Sequence, residues 1–317
     1  MLAPPPAIDD LRLAAGPEDE LIQVGSGFPL AGAAGAEAAY MMSAGAPLIH
    51  ELLDTVPTIR WVGLSTAGVE RYIDLGLTTR PGITVTSNPA QGEGVAEYTM
   101  ALIYAAAKNL HRFAWAQQQG SWVWNPPWSS GNLDVGGSTL LIYGLGAIGT
   151  RLATLAAGNG MRVLAIRRTG GTPPPGVESV HTPDRLPDLA SEADFLALTA
   201  PLTALTRGAV SAAVLARMKP TAWVVNVARG ALIDEQALIA ALRERRIGGA
   251  AMDVFNTEPL PPDHPYWSLE NAIVTPHTGS SSTPNRGSRA AEAWGENLVR
   301  FKKGEPLQRV VNPEAGY

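Results

Sequence analysis

An apolar run, Thr139-Leu-Leu-Ile-Tyr143, passes into Gly144-Leu-Gly146-Ala-Ile-Gly149 and then into the amphipathic series Ile148, Leu152, Leu155. That order predicts a buried strand, a tight turn and a helix. The first glycine allows the turn, the second lets backbone approach a phosphate, and the third lets the helix pack on the strand. Amides at the helix start, Ala147 and Ile148, would face the diphosphate of a dinucleotide with the positive end of the helix dipole behind them. The glycine spacing alone is a weak signal. Its place between an apolar strand and a helical period makes it a specific one.

The chain has 317 residues, enough for two domains of ordinary size, each with its own core. A net charge of -5 gives no concentrated positive field, so neither nucleic acid nor an anionic membrane is an expected partner. With no cysteine, disulfides, thiolate metal sites and a cysteine nucleophile are excluded; no metal site is expected. The start, Met1-Leu-Ala-Pro-Pro-Pro6, lacks a basic segment leading into an apolar core, and the expected compartment is the cytoplasm.

Along the chain, Ala7 to Ala15 reads as a short helix and Leu21 to Val24 as a strand. Ala38 to Ser43, Ile59 to Leu64 and Ile83 to Thr86 read as strands, with a helix over Pro47 to Val56. A single long helix is predicted from Val95 to Gln119, followed by a loop bearing Trp122, Trp124 and Trp128. With Trp115, these tryptophans suit either internal packing or a subunit interface. Beyond Gly149, strands are predicted at Arg162 to Ile166, Asp194 to Thr199, Ala222 to Ala228, Gly249 to Val254 and Ile273 to Thr275. Helices are predicted at Ser211 to Met218, at Asp234 to Arg245 with Asp234 as N-cap, and at Ser288 to Lys302. Alternating β and α units with strands this apolar imply an α/β fold whose parallel sheet is covered on both faces.

Ligands of open α/β sheets bind outside the carboxyl ends of the strands. Arg167, Arg168 and Thr169 follow the second strand, about 20 residues past the glycines, where an NAD enzyme places an acidic residue on the ribose. Guanidinium hydrogen bonds to a 2′-phosphate are worth about 1.5–3 kcal/mol each, so two of them favour NADP(H) over NAD(H) by about one to four orders of magnitude. Ala200 and Pro201 after the third strand would floor the adenosine side. Arg229 follows the fourth strand, with Val227 and Ala228 of its turn against the cofactor. Asp253 ends the fifth strand, within reach of a nicotinamide carboxamide; Glu258 follows in its loop, and His277 and Gly279 follow the sixth. Singly, an arginine, a glutamate or a histidine is explained by surface or packing roles. Together on one side of one sheet they match the reduction of a 2-oxo acid: Arg229 forks onto the carboxylate, His277 exchanges the proton of the carbonyl oxygen, and Glu258 steadies the imidazolium.

Gly144 to Gly149, Asn226-Val-Ala-Arg-Gly230, Ala251-Met-Asp-Val-Phe255, Thr257-Glu-Pro-Leu260 and Thr275-Pro-His277 resemble the D-isomer-specific 2-hydroxyacid dehydrogenase family, as do Thr66-Ala-Gly-Val69 and Val95-Ala-Glu97. The resemblance implies two Rossmann-like or flavodoxin-like domains with parallel sheets. A cofactor domain (95–286) would be inserted into a substrate domain (1–94 plus 287–317), with the active site in the cleft. It also implies backbone amides at Ala67 and Gly68 on the substrate carboxylate, a homodimer formed through the cofactor domain, and a place among the NADPH-using glyoxylate and hydroxypyruvate reductases. The rival reading is a nicotinamide-dinucleotide sensor or corepressor on the same scaffold, whose signature would be loss of the arginine or histidine. Family members begin with a strand, whereas here the pattern starts at what reads as the first helix. The segment Asn88 to Gly94 and Tyr98 also depart from the family pattern and leave the identity of the acid open.

Overall fold

A computed structural model describes residues 11–316 except 13, 23–29, 42–47, 89, 125, 127–130 and 281–285. In chain order its elements are β1 (Ala38–Met41), α1 (Ile49–Thr55), β2 (Trp61–Leu64), α2 (Glu70–Asp74), β3 (Thr84–Thr86), α3 (Gly92–Ala107), α4 (Leu110–Gln118), β4 (Thr139–Tyr143), α5 (Ala147–Gly158), β5 (Arg162–Ile166), β6 (Ser179–His181), α6 (Leu186–Ala190), β7 (Phe195–Leu198), α7 (Ala212–Arg217), β8 (Trp223–Asn226), α8 (Glu235–Arg243), β9 (Gly249–Met252), β10 (Ala272–Val274) and α9 (Arg286–Lys303). Chain contacts divide it into two compact units, Met1–Gly92 with Ser282–Tyr317, and Glu93–Ser281.

The first unit holds a parallel sheet in the order β1-β2-β3. Every residue of β2 is buried, and α1 closes one face with Ile49, Leu52 and Leu53. On a second cluster the α9 side chain Trp294 stacks on Trp61, ring centroids 5.4 Å apart. The C-terminal segment returns beside β3, where Val311 N donates to Val85 O.

The second unit is a seven-stranded sheet, order β10-β9-β8-β7-β4-β5-β6, every pairing parallel. Its strands are apolar on both faces because two core clusters sandwich the sheet. On α8, Leu238, Ile239, Ala241 and Leu242 are buried; a leucine or isoleucine of this kind contributes about 1.5–3 kcal/mol on burial. Its Asp234 cap is present, the carboxylate accepting from Ala237 N at 3.1 Å. The chain reverses direction across the sheet between β4 and β7, the place where such sheets open a crevice.

Several expectations are corrected. The helix predicted over 95–119 is two helices, because Asn109 adopts a left-handed backbone (φ 51°) and donates from its side chain to Asn132 Oδ1 at 2.8 Å. Asparagine tolerates that conformation, and the bond that rewards it comes from a distant residue. Strand β6 and helix α6 were not foreseen; both are short, and β6 is a half-buried edge strand. Leu21 and Ile22 are not in a strand, while Ala7, Val24, Ser43, Pro47 and Trp128 lie outside the described residues. Internal packing is ruled out for Trp115, Trp122 and Trp124, which are 67%, 89% and 78% exposed. Among the described residues no helix is long and apolar enough to cross a membrane.

Candidate active site

The glycine turn joins β4 to α5 at the sheet's reversal point. Gly144 has φ 113°, and a β-carbon there would lie 2.4 Å from Ala200 N; only glycine fits. At Gly149 a β-carbon would lie 2.1 Å from Gly144 O, so α5 is packed directly on the turn. At Gly146 it would meet nothing within 4 Å. Gly146 caps α5 without a side-chain hydrogen bond, which leaves the first-turn amides at Ala147 and Ile148 for an outside acceptor. Open space at the second glycine and a helix start without a side-chain cap are what a diphosphate requires, and these residues fit a dinucleotide. Thr199 Oγ1 donates to Gly144 O at 2.6 Å and fastens β7's end to the turn.

After β5, Arg167, Arg168 and Thr169 are exposed. Arg167 Nε donates to Gly170 O at 2.7 Å, which holds its guanidinium beside the strand end. Ala200 is buried after β7, and Thr206 Oγ1 donates to the Pro201 carbonyl at 2.7 Å.

Three loops leave the carboxyl ends of the adjacent strands β8, β9 and β10. In the first, Asn226 is wholly buried, accepts from Ala228 N at 3.0 Å and donates to Arg229 O at 2.9 Å. This side chain builds the turn that presents half-buried Arg229, with Val227 and Ala228 buried beneath. Arg229 Nη1 donates to Ala228 O at 2.6 Å. The arginine also borders an open pocket of about 730 Å³, with Arg207, Ser211 and Asp234, that neither Glu258 nor His277 lines.

In the second loop Glu258 Oε1 accepts from Phe255 N at 2.9 Å, which aims Oε2 at His277 Nδ1, 2.7 Å away. The pair brings together residues from different loops, and it commits Nδ1 and leaves Nε2 for another partner. The imidazole side chain is 45% exposed, so a small molecule can reach it.

Asp253 directly follows β9. It is 1% exposed, and its carboxylate accepts from Thr275 Oγ1 at 2.6 Å, Thr278 N at 2.9 Å and Gly279 N at 2.9 Å. His277 N donates to the Asp253 carbonyl at 2.8 Å. Asp253 therefore ties down both flanks of the histidine, whose own backbone is left-handed (φ 50°). In the other unit, Ala67 is exposed and Gly68 half-buried in the turn after β2, where Thr66 Oγ1 donates to Gly68 O at 2.9 Å.

Sequence reading missed Asn226 as a builder of the arginine turn, although an asparagine at a strand end is an Asx-turn signal. It also missed the Phe255 amide, which no side-chain pattern advertises.

Residues 100–279 match the family model described as D-isomer specific 2-hydroxyacid dehydrogenase, NAD binding domain. The chain is 40% identical over 274 residues to a glyoxylate reductase of Korarchaeum cryptofilum, covering 84% of this chain and 80% of that one. Among solved structures it is similar to a D-isomer specific 2-hydroxyacid dehydrogenase from Xanthobacter autotrophicus Py2 in complex with NADPH and MES, with TM-score 0.78, 28% identity and coverage of 98% and 96%. It is also similar to an NADPH-dependent glyoxylate/hydroxypyruvate reductase from Sinorhizobium meliloti in complex with NADP and malonate, with TM-score 0.69, 28% identity and coverage of 87% and 83%.

Proposed function

The chain belongs to the D-isomer-specific 2-hydroxyacid dehydrogenase family, and from that premise we propose that it is an NADPH-preferring reductase of small 2-oxo acids such as glyoxylate or hydroxypyruvate. It is an NAD(P)-dependent oxidoreductase; the choice of cofactor, the acid and the residue roles are the proposal. The observation that carries the roles is the Glu258–His277 contact of 2.7 Å, made between loops leaving neighbouring strands.

When bound, the reduced nicotinamide supplies the hydride for the carbonyl carbon. Arg229 binds the substrate carboxylate with its planar fork and polarises the adjacent carbonyl. His277, protonated on Nε2, gives that proton to the carbonyl oxygen as negative charge develops there. Glu258 holds Nδ1 at 2.7 Å and keeps that nitrogen occupied, so the reacting nitrogen is always Nε2. In the oxidative direction the same nitrogen takes the proton from the hydroxyl.

The NADPH preference is supported by Arg167, Arg168 and Thr169 directly after β5, a stretch that itself carries no acidic residue. Exposed Trp115, Trp122 and Trp124 support a homodimer through the cofactor-binding unit. Steady-state assays of glyoxylate, hydroxypyruvate and related oxo acids with each cofactor test the reading. Turnover of none of them by the pure protein contradicts it.

A further inference from the structure

We propose that Gly171 is a positioning residue for Arg167, and through it a determinant of the preference for NADPH over NADH. Its bare α-carbon is the seat on which the guanidinium lies. The inference rests on the proposed contact of Arg167 with the 2′-phosphate and adds what holds that side chain ready for it.

The turn after β5 is built around Arg167. Its backbone N donates to His181 O at 2.9 Å, which ties the residue to the end of β6. Its carbonyl accepts from Gly170 N at 3.1 Å and closes the turn, while its Nε donates to Gly170 O at 2.7 Å. Main chain and side chain of one residue thus engage both polar groups of Gly170. That leaves Nη1 and Nη2, the edge with which an arginine forks onto a phosphate.

Gly171 completes the seat. A β-carbon there would lie 2.4 Å from Arg167 Nη2 and 3.3 Å from its Cζ, so a residue with a side chain displaces the guanidinium from this position. The φ of 124° is itself one that residues with a β-carbon rarely adopt. At the neighbouring Gly170 a β-carbon would meet Thr182 Cγ2 at 3.6 Å, an ordinary contact, so the clash with the arginine belongs to residue 171. Pro173, Pro174 and Pro175 follow with φ fixed by their rings, and Val177 N donates to Pro174 O at 3.1 Å. With the chain stiff on that side, the group that gives way is the end of the arginine side chain.

An exposed arginine that must be ordered on binding costs affinity, and one already held does not. The seat acts on the 2′-phosphate alone, because NADH has none. Fluorescence titration of the full chain with NADPH and with NADH, in the absence of any oxo acid, reads the effect as Kd. In Gly171→Ala, Kd for NADPH rises about three- to tenfold and Kd for NADH stays within about twofold. Arg167→Ala raises Kd for NADPH about tenfold or more. Adding Gly171→Ala to it changes Kd less than about twofold further, since no guanidinium is left to displace. Arg167→Lys, which keeps the charge but cannot make the bond to Gly170 O, is likewise insensitive to Gly171→Ala.

Loss of NADPH and NADH by the same factor in Gly171→Ala overturns the proposal. So does an equal effect of Gly171→Ala in the wild-type and Arg167→Ala backgrounds, which would mean that the glycine shapes only the turn. If Arg167→Ala weakens NADPH while Gly171→Ala leaves its Kd at the wild-type value, the 2′-phosphate reading stands and the inference alone falls. If Arg167→Ala leaves Kd for NADPH unchanged, that reading fails and the inference goes with it.

Discussion

Gly230 and Phe255 pass so closely that a β-carbon on the glycine would lie 2.2 Å from the Phe255 carbonyl carbon. The glycine directly follows Arg229, and the Phe255 amide donates to Glu258. One steric requirement thus sets the guanidinium loop against the carboxylate loop, and the carboxylate meets the imidazole of a third.

Arg229→Lys keeps the charge and loses the fork. If the guanidinium makes two charge-assisted hydrogen bonds to the substrate, kcat/KM on glyoxylate falls by about 10²- to 10⁴-fold. KM for NADPH should stay within about threefold. A lysine variant as active as the wild type would remove Arg229 from the substrate.

Arg167→Ala combined with Arg168→Ala should raise KM for NADPH by about 10- to 10⁴-fold and leave KM for NADH nearly unchanged. Initial rates at fixed oxo acid measure this. Equal effects on both cofactors would discard the 2′-phosphate assignment.

Two glycines of one motif should fail in different ways. Gly149→Ala drives a methyl group into the Gly144 carbonyl, an overpacking cost of about 1–3 kcal/mol, and Tm falls by about 2–4 °C per kcal/mol. Gly146→Ala meets open space and leaves Tm within about a degree, yet weakens NADPH binding by fluorescence titration about tenfold or more. The reverse pattern would mean that open space at Gly146 is not where the diphosphate lies.

A pH effect on stability is expected at His111. Burial holds this imidazole below its ordinary value near 6.5, with Nε2 3.1 Å from Glu270 O, the ring edge on Trp223 and the Arg112 charge beside it. A base whose folded value is depressed stabilises the fold above the unfolded value and loses that contribution as pH falls below it. The Tm difference between wild type and His111→Gln should therefore shrink from pH 7 toward about pH 5. A difference that grows on acidification would reverse the sign.

The legibility of this chain follows the range of its interactions. The β4–turn–α5 unit could be read because strand, glycines and helix are contiguous, and Asp234 because a cap acts on an amide three residues away. Arg229, Glu258 and His277 stood out as chemistry placed after successive strands. The break at Asn109 was hidden because its reward comes from Asn132, and apolar spacing runs through it. The bonds from Asp253 to Thr275, Thr278 and Gly279 join residues too far apart for any spacing rule. The tryptophans were ambiguous for another reason: exposure is decided by what the rest of the fold covers.

The central claim is that the imidazole held by Glu258 exchanges the substrate's proton. Single-turnover and steady-state reduction of glyoxylate with NADPH by His277→Ala tests it most directly. The account predicts a fall in kcat of about 10²- to 10⁴-fold with NADPH still bound at near wild-type affinity. Full turnover in that variant would contradict it.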